Sequence, residues 1–375
     1  YSLPATNGSP SDFDGDQCNV LFLSKTQAIV ESKIISAIPQ WTISYQTSKP
    51  MMGLMQDPIT GGVNMSKANI NIHKYHAMLM CGRCVKYDKL DFRNLPSVFS
   101  SRELISMFLP DINYKIKPKY YNAIFAADMV KYNPEDTKVV IRRGKLLCGV
   151  IDKASIGDGV DGSLFHRIYE EYGAGKALDV TFNLQQLFQS YMHYDNSTFG
   201  MGDLVLDSNV DAIIGNEIKK NIKNSMQILK DADDGKIIPP LGIPIDLWVN
   251  RQYIKSLTHG DEFYYPIVKS ISDDNNLFKM IAIGTRGKPT NMKSIFGAKG
   301  AIGIEGGSIQ PIMDGRTSIY FKRYDTNPVS RGYDISNFVK GITPETYFFS
   351  AMAARNELAQ IALGTAIGGY INRTT

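Results

Sequence analysis

The residues best suited to chemistry are three carboxylates in five positions, Asp12-Phe13-Asp14-Gly15-Asp16. The glycine among them permits a tight turn or a positive φ, so the three acids can be directed at one point. Two carboxylates about 4 Å apart repel by about 4 kcal/mol at an effective dielectric of 20. Three converging on one point therefore need a cation. Hard oxygen donors with no His or Cys beside them favour Mg²⁺ over zinc, and Mg²⁺ with open coordination positions suits in-line phosphoryl or nucleotidyl transfer. An acidic turn without metal is the plainer alternative, and the pentad alone does not separate the two. An EF-hand loop does not fit, because Gly15 stands too early and Leu23 occupies the place of the closing Glu. A haloacid-dehalogenase-type phosphatase carries a loop resembling DxDGT after a buried apolar strand. Here NGSPS precedes Asp12, and Asp16 stands where Thr is expected.

The elements that must position these acids read as a mixed α/β chain. CNVLFL (18–23) predicts a short apolar strand, and SKTQAIVESKIISAI a helix with Ser24 as its N-cap. SYQTSKPMMGLMQDPITGG (44–62) reads as an ordered loop with a short helix. TKVVIRRGKLLCGVID (137–152) predicts a hairpin turning at Arg143-Gly144. Two helical stretches fall between 164 and 194, and a longer, charged one spans 209–235, followed by the proline-punctuated IIPPLGIPIDLW. Residues 344–373 form one long helical pattern of about 45 Å, with Thr343 as N-cap, Pro344 in the first turn and Glu345 at the positive end of the dipole. Its second half is rich in small residues, including Gly364, Gly368 and Gly369. Each interior glycine costs about 1 kcal/mol against alanine, which suits either close helix–helix packing or a helix that bends.

At 375 residues and 43% hydrophobic, the chain can bury a substantial core in two or three units. A net charge of +4 is too weak for a protein coated by nucleic acid, so any such contact is local. The four cysteines do not form a disulfide framework and fit a reducing, intracellular setting. Cys81-Gly-Arg-Cys84 has zinc-knuckle spacing, and His73 and His76 would complete a Cys₂His₂ set; thiols beside a turn are the plainer reading. No apolar run reaches membrane-spanning length. The opening Tyr1 and its polar surroundings read as an internal piece of a longer chain.

Six segments, in order, resemble the largest-subunit family of cellular and large-DNA-virus RNA polymerases. SDFDGDQCN (11–19) is similar to that family's ADFDGD catalytic loop, and SKPMMGLMQD (48–57) to its NKPxMGxxQD segment. GVIDKASIG (149–157), FGMGD (199–203) and IGTRGKPTNMKSI (283–295) come after them in the expected order. KGITPETYFFSAMAARNELAQIALGTAIGGYINR (340–373) resembles the bridge helix and its lead-in. Three positions depart from the pattern: Pro10 replaces an Asn that senses the ribose, Gly364 a Lys, and Ile367 a Glu. This drift points to a viral or otherwise divergent enzyme, the eukaryotic-archaeal type being nearer than the bacterial.

The resemblance implies an α+β, multi-region fold. It comprises the end of a double-psi β-barrel with the catalytic loop (1–40), a mixed α/β pore region (41–194), a helical funnel (195–340) and the bridge helix (341–375). It implies DNA-dependent RNA synthesis in which Asp12, Asp14 and Asp16 hold one Mg²⁺ and a second arrives with the nucleoside triphosphate. Thr365, Ala366, Gly369 and Tyr370 would face the template base and incoming nucleotide; Arg286 and Lys288 would line the pore that admits nucleotides. The implied partners are the second-largest and other polymerase subunits, template DNA, transcript and NTPs, and no membrane. The implied location is intracellular: the nucleus, or the cytoplasm or virion for a viral enzyme. The segment alone would be inactive. A phosphatase and a non-catalytic, polymerase-derived scaffold are the alternatives.

Overall fold

The computed structural model describes residues 2–8, 11, 13–84, 92–93, 95–120, 134–195, 197–272, 275–304, 306–312 and 314–375. Its helices, in chain order, are α1 (Thr26–Ile34), α2 (Asp57–Ser66), α3 (Lys74–Cys81), α4 (Ser101–Ser106), α5 (Lys153–Ile156), α6 (Leu164–Met192), α7 (Ser208–Asp233), α8 (Ile245–Leu257), α9 (Asp261–Ser270), α10 (Asn276–Ile283), α11 (Pro289–Met292) and α12 (Pro344–Thr374). The strands are short and antiparallel: β1 (Asn71–His73) with β2 (Val98–Ser100), β3 (Tyr114–Ile116), β4 (Val139–Arg142) and β5 (Lys145–Cys148) as one three-stranded sheet, and two-residue pairs of β6 (Gly300–Ala301) with β9 (Tyr333–Asp334) and β7 (Gly303–Ile304) with β8 (Gly307–Ser308). The chain divides into two units, Tyr1–Phe199 with Asp273–Gly287, and Gly200–Ser272 with Lys288–Thr375.

The first unit is built around one apolar core. Ile59 and Val63 of α2, Leu104 and Ile105 of α4, Val139 and Ile141 of β4, and Leu184, Leu187 and Phe188 of α6 are all at most 1% exposed and pack together. The β4–β5 turn is the one its sequence predicts, with Arg143 (φ 47) and Gly144 (φ 72) both left-handed as a two-residue hairpin loop requires. The two helical stretches of 164–194 are also present, joined across a kink at Gly173. A fully buried carboxylate, Asp152, ties the start of α5 to the backbone at 119–120. It accepts from Lys119 N at 2.6 Å, Tyr120 N at 3.1 Å and Ala154 N at 3.0 Å, capping α5. Burial raises its pKa, and these backbone donors pull it back.

Two local expectations are corrected. Residues 18–23 form no strand: Val20, Leu21 and Phe22 are 95%, 82% and 94% exposed, and no segment among the described residues pairs with them. An apolar run becomes a strand only where a neighbour completes its ladder. Helix α1 starts one residue later than its sequence predicts, with Lys25 rather than Ser24 at the N-cap and no side-chain cap bond.

In the second unit Ile218, Ile222 and Leu229 of α7 pack against a small core of Tyr253, Leu257 and Tyr333. Helix α12 begins as predicted: Thr343 accepts from Thr346 N at 3.4 Å, and Pro344 occupies the first turn. The Glu345 carboxyl sits below its usual pKa range, because its own backbone N–H and the Thr343 hydroxyl donate to it. Thr346 and Phe349 are buried, whereas every residue from 357 to 375 is exposed.

His259 is stacked on Phe263, with ring centroids 4.0 Å apart, and its Nε2 lies 3.1 Å from the Tyr333 hydroxyl. Burial lowers its pKa to about 4, and the nearby Lys293 charge adds to the shift. The unfolded chain therefore takes up a proton below about pH 6.5 that the native ring refuses. The ring's contribution to stability is complete above that pH and is lost as pH falls toward 4. Thermal unfolding of the second unit should shift to lower temperature across this window, and His259→Phe, which keeps the stack, should flatten the dependence. Equal slopes for both proteins would refute this account.

Candidate active site

Asp14 and Asp16 lie exposed at a turn over residues 13–15, and Gly15 has φ +132, a positive φ of the kind glycine permits. Asp12 and Pro10 lie outside the described residues. Oxygen donors two residues apart on a solvent-accessible turn suit a hard cation such as Mg²⁺. Among the described residues, which leave out Asp12, no three His, Cys, Asp or Glu gather as a metal site.

The segment at residues 3–7 is anchored. Leu3–Asn7 is a 3₁₀ turn with Pro4 and Thr6 buried, rather than the apolar strand that would precede a phosphatase loop. Asn7 donates from Nδ2 to Met51 O at 3.1 Å and to Asp158 Oδ2 at 3.1 Å. That side chain clasps two of the sequence motifs, the 48–57 segment and the residue just after 149–157. Those motifs also touch directly. Leu54 N donates to Ile156 O at 2.8 Å, and a Cβ on Gly53 would lie 2.4 Å from Asp158 N and 2.5 Å from Gly157 C. Nothing larger than glycine fits there. The 283–287 stretch closes on the same region: Thr285 Oγ1 accepts from Thr60 Oγ1 at 3.3 Å, and the Lys153 side chain lies 3.6 Å from where a Gly284 Cβ would be. The structure thus gathers four segments that are far apart in sequence. Neither Asn7 nor Asp158 stands out in the sequence, since a polar residue in NGSPS gives no sign of a long-range partner.

Thr365, Ala366, Gly369 and Tyr370 share one face of α12 through their i, i+4 spacing. All four are exposed, Tyr370 at 67%. A Cβ at Gly364, Gly368 or Gly369 would meet no atom within 4 Å. Packing against another helix of the described chain is therefore not the reason for these glycines. Arg286 and Lys288 are both exposed, and the Lys288 backbone N–H donates to Asn291 Oδ1 at 2.8 Å. Cys81 and Cys84 are buried thiols rather than exposed ligands. Cys84 Sγ donates to Asn183 O at 3.6 Å, and hydrogen bonding to Cys84 together with burial raises the Cys81 pKa. His76 instead stacks on Tyr194, ring centroids 5.0 Å apart. No described helix is long and apolar enough to cross a membrane.

Residues 41–204 match the family described as RNA polymerase Rpb1, domain 3, and residues 247–334 match RNA polymerase Rpb1, domain 4. The chain is 30% identical over 374 residues to the DNA-directed RNA polymerase RPB1 homolog of African swine fever virus, Badajoz strain, covering 97% of this chain and 26% of that protein. The homologue of a Tick/Malawi isolate of the same virus gives the same identity and coverage. The chain belongs to the family of the largest RNA polymerase subunit. It spans about a quarter of the length of these curated relatives, 26%. Within this Rpb1-family chain the clasped segments at Leu54 and Ile156 lie inside the domain 3 match, whereas the acidic turn and α12 lie outside both domain matches.

The Gly53 contact yields a direct test. Gly53→Ala should destabilise the first unit by about 1–3 kcal/mol, the cost of overpacking a rigid site, because the atoms in the way are the Gly157–Asp158 backbone rather than a side chain that could move aside. Denaturant unfolding measures this; a midpoint unchanged from wild type would show that the two segments can separate without cost.

Proposed function

We propose that this chain is the catalytic-loop-to-bridge-helix portion of the largest subunit of a viral DNA-directed RNA polymerase, adding nucleotides from NTPs to the RNA 3′ end on a DNA template. The observation that carries the proposal is the collinear similarity along 97% of the chain, combined with exposed Asp14 and Asp16 on a turn that Gly15 shapes. In this reading residues 1–40 end the double-psi barrel, 41–194 form the pore region, 195–340 the funnel and 341–375 the bridge helix.

Asp12, Asp14 and Asp16 would supply the carboxylates for one Mg²⁺, a second coming with the NTP. When bound, Mg²⁺ activates the 3′ hydroxyl and offsets charge on the reacting phosphate. The chain's own part is positional. Asn7 ties the lead-in at residues 3–7 to Met51 and Asp158, beside the Gly53–Gly157 contact. The α12 face of Thr365, Ala366, Gly369 and Tyr370 presents a hydroxyl, bare backbone and one aromatic ring, suited to stacking and close approach by a base. Arg286 and Lys288 offer cations to triphosphates in the pore. The second-largest and other subunits, template and transcript are the partners, and the relatives' viral origin supports the cytoplasm or virion as the location.

Asp14→Asn in the assembled enzyme should abolish nucleotide addition while leaving assembly intact. Near-normal elongation would overturn the metal-site reading and favour a scaffold. Gly364→Ala with Gly368→Ala should raise helix stability by about 0.5–1 kcal/mol per site, since both added methyl groups enter open space. If α12 bends during translocation, single-turnover nucleotide addition should change several-fold. A wild-type rate at raised thermal stability would rule out a hinge.

A further inference from the structure

One sheet of the first unit carries the positive charge of the chain. Residues 111–148 hold eight Lys and Arg against four Asp and Glu, a net +4 that equals the net charge of all 375 residues. One of the four acids, Asp136, is buried on Arg102 and adds nothing to the surface. From 111 to 120 every odd-numbered residue is exposed and every even-numbered one is covered, as in an extended chain with one wet side. Lys115 of β3 thus points outward, and Lys117 and Lys119 extend the row beyond the strand. The same alternation turns Lys138 and Arg142 outward around half-buried Val140, while Val139 and Ile141 enter the core. Register sets Lys115 opposite Val140, and Arg142 opposite Lys145 of β5. All six cations are exposed on this side. Arg142 and Lys145 stand directly across the ladder, where like charges weaken a sheet and an acid at either position would strengthen it.

We infer that this face binds the sugar–phosphate backbone of duplex DNA without reading its bases. Charge complementarity calls for a polyanion, and three features select this one. A protein partner needs an apolar centre with charges kept to the rim, whereas protein–DNA interfaces are polar and strongly positive. Here cations hold the centre, and exposed Leu147 is skipped by the β4–β5 register. A single strand is held by exposed aromatic rings that stack on its bases; the described tyrosines of 111–148, Tyr114 and Tyr120, are buried. Finally, Lys and Arg repeated at alternate positions along straight strands suit repeating phosphates, which they neutralise with release of counterions and without sequence preference. None of these residues belongs to the acidic turn or to α12, and the inference stands apart from the polymerase reading.

The test is fluorescence anisotropy of the full chain with two unrelated short DNA duplexes over a series of salt concentrations. Both duplexes should bind equally, with affinity falling steeply as salt rises. The triple variant Lys115→Gln, Arg142→Gln and Lys145→Gln should reduce the slope of log affinity against log salt by about three, one phosphate contact per cation. A matched triple on α7, Lys219→Gln, Lys223→Gln and Lys230→Gln, also exposed, should leave the slope unchanged. Lys145→Glu should weaken DNA binding while raising the thermal unfolding midpoint, because it sets opposite charges across the ladder; this separates lost binding from lost folding. An unchanged slope in the first triple variant, an equal loss in the α7 triple, or tighter binding of a single strand would each overturn the inference. Equal binding of polyglutamate would assign the face to an acidic protein and overturn it as well.

Discussion

The first unit depends on two backbones meeting where neither carries a side chain. At Gly53 and Gly157 the chain runs so close to itself that Leu54 N reaches Ile156 O at 2.8 Å. The other anchors build on that contact. Asp152 caps the short helix ending at Ile156 and holds the 119–120 backbone. Asn7 spans Met51 and Asp158, and Lys153 lies 4.0 Å from the Asp158 carboxylate. Of these, the Asn7 bridge works only at one separation of the two segments, and the glycines set that separation.

The acids of this unit divide by environment. Asp152 and Asp136 are buried and satisfied, the latter by Arg102 Nη2 at 2.5 Å and Ala68 N at 3.1 Å. They serve the fold. Asp14 and Asp16 are in contact with water, where repulsion between neighbouring charges is weak. The fold therefore places Asp152 and Asp136 on backbone and guanidinium donors and Asp14 and Asp16 at the surface. Burial alone thus gives one residue type two environments.

What is legible in the sequence has a local cause. The Arg143-Gly144 turn is set by residues that tolerate positive φ, and the start of α12 by a hydroxyl cap next to a proline. Family membership is legible too, because six ordered motifs are far more specific than any one of them. The features that escape a sequence reading have a distant cause. CNVLFL has strand composition but no ladder partner among the described residues, and Ser24 has capping chemistry one position too early. The roles of Asn7 and Asp158 depend on segments 44 and 151 residues away from Asn7, which no local pattern encodes. Likewise, the small residues of α12 suit packing and bending equally well in sequence, and only the open space around them separates the two.

Among the described residues, the contacts of helix α12 are made by its first turns. Lys299 bonds Ser350, Phe321 stacks on Phe349 at 5.8 Å, and Asp334 receives Thr346; beyond residue 356 no side chain is covered. A rigid helix magnifies at a distance what happens at its clamp. From Ser350 to Tyr370 the helix runs about 30 Å. A pivot of about 10° at the clamped turn would therefore sweep Tyr370 through roughly 5 Å, so a sub-ångström adjustment among Asp334, Thr346 and Phe349 is enlarged several-fold at Tyr370.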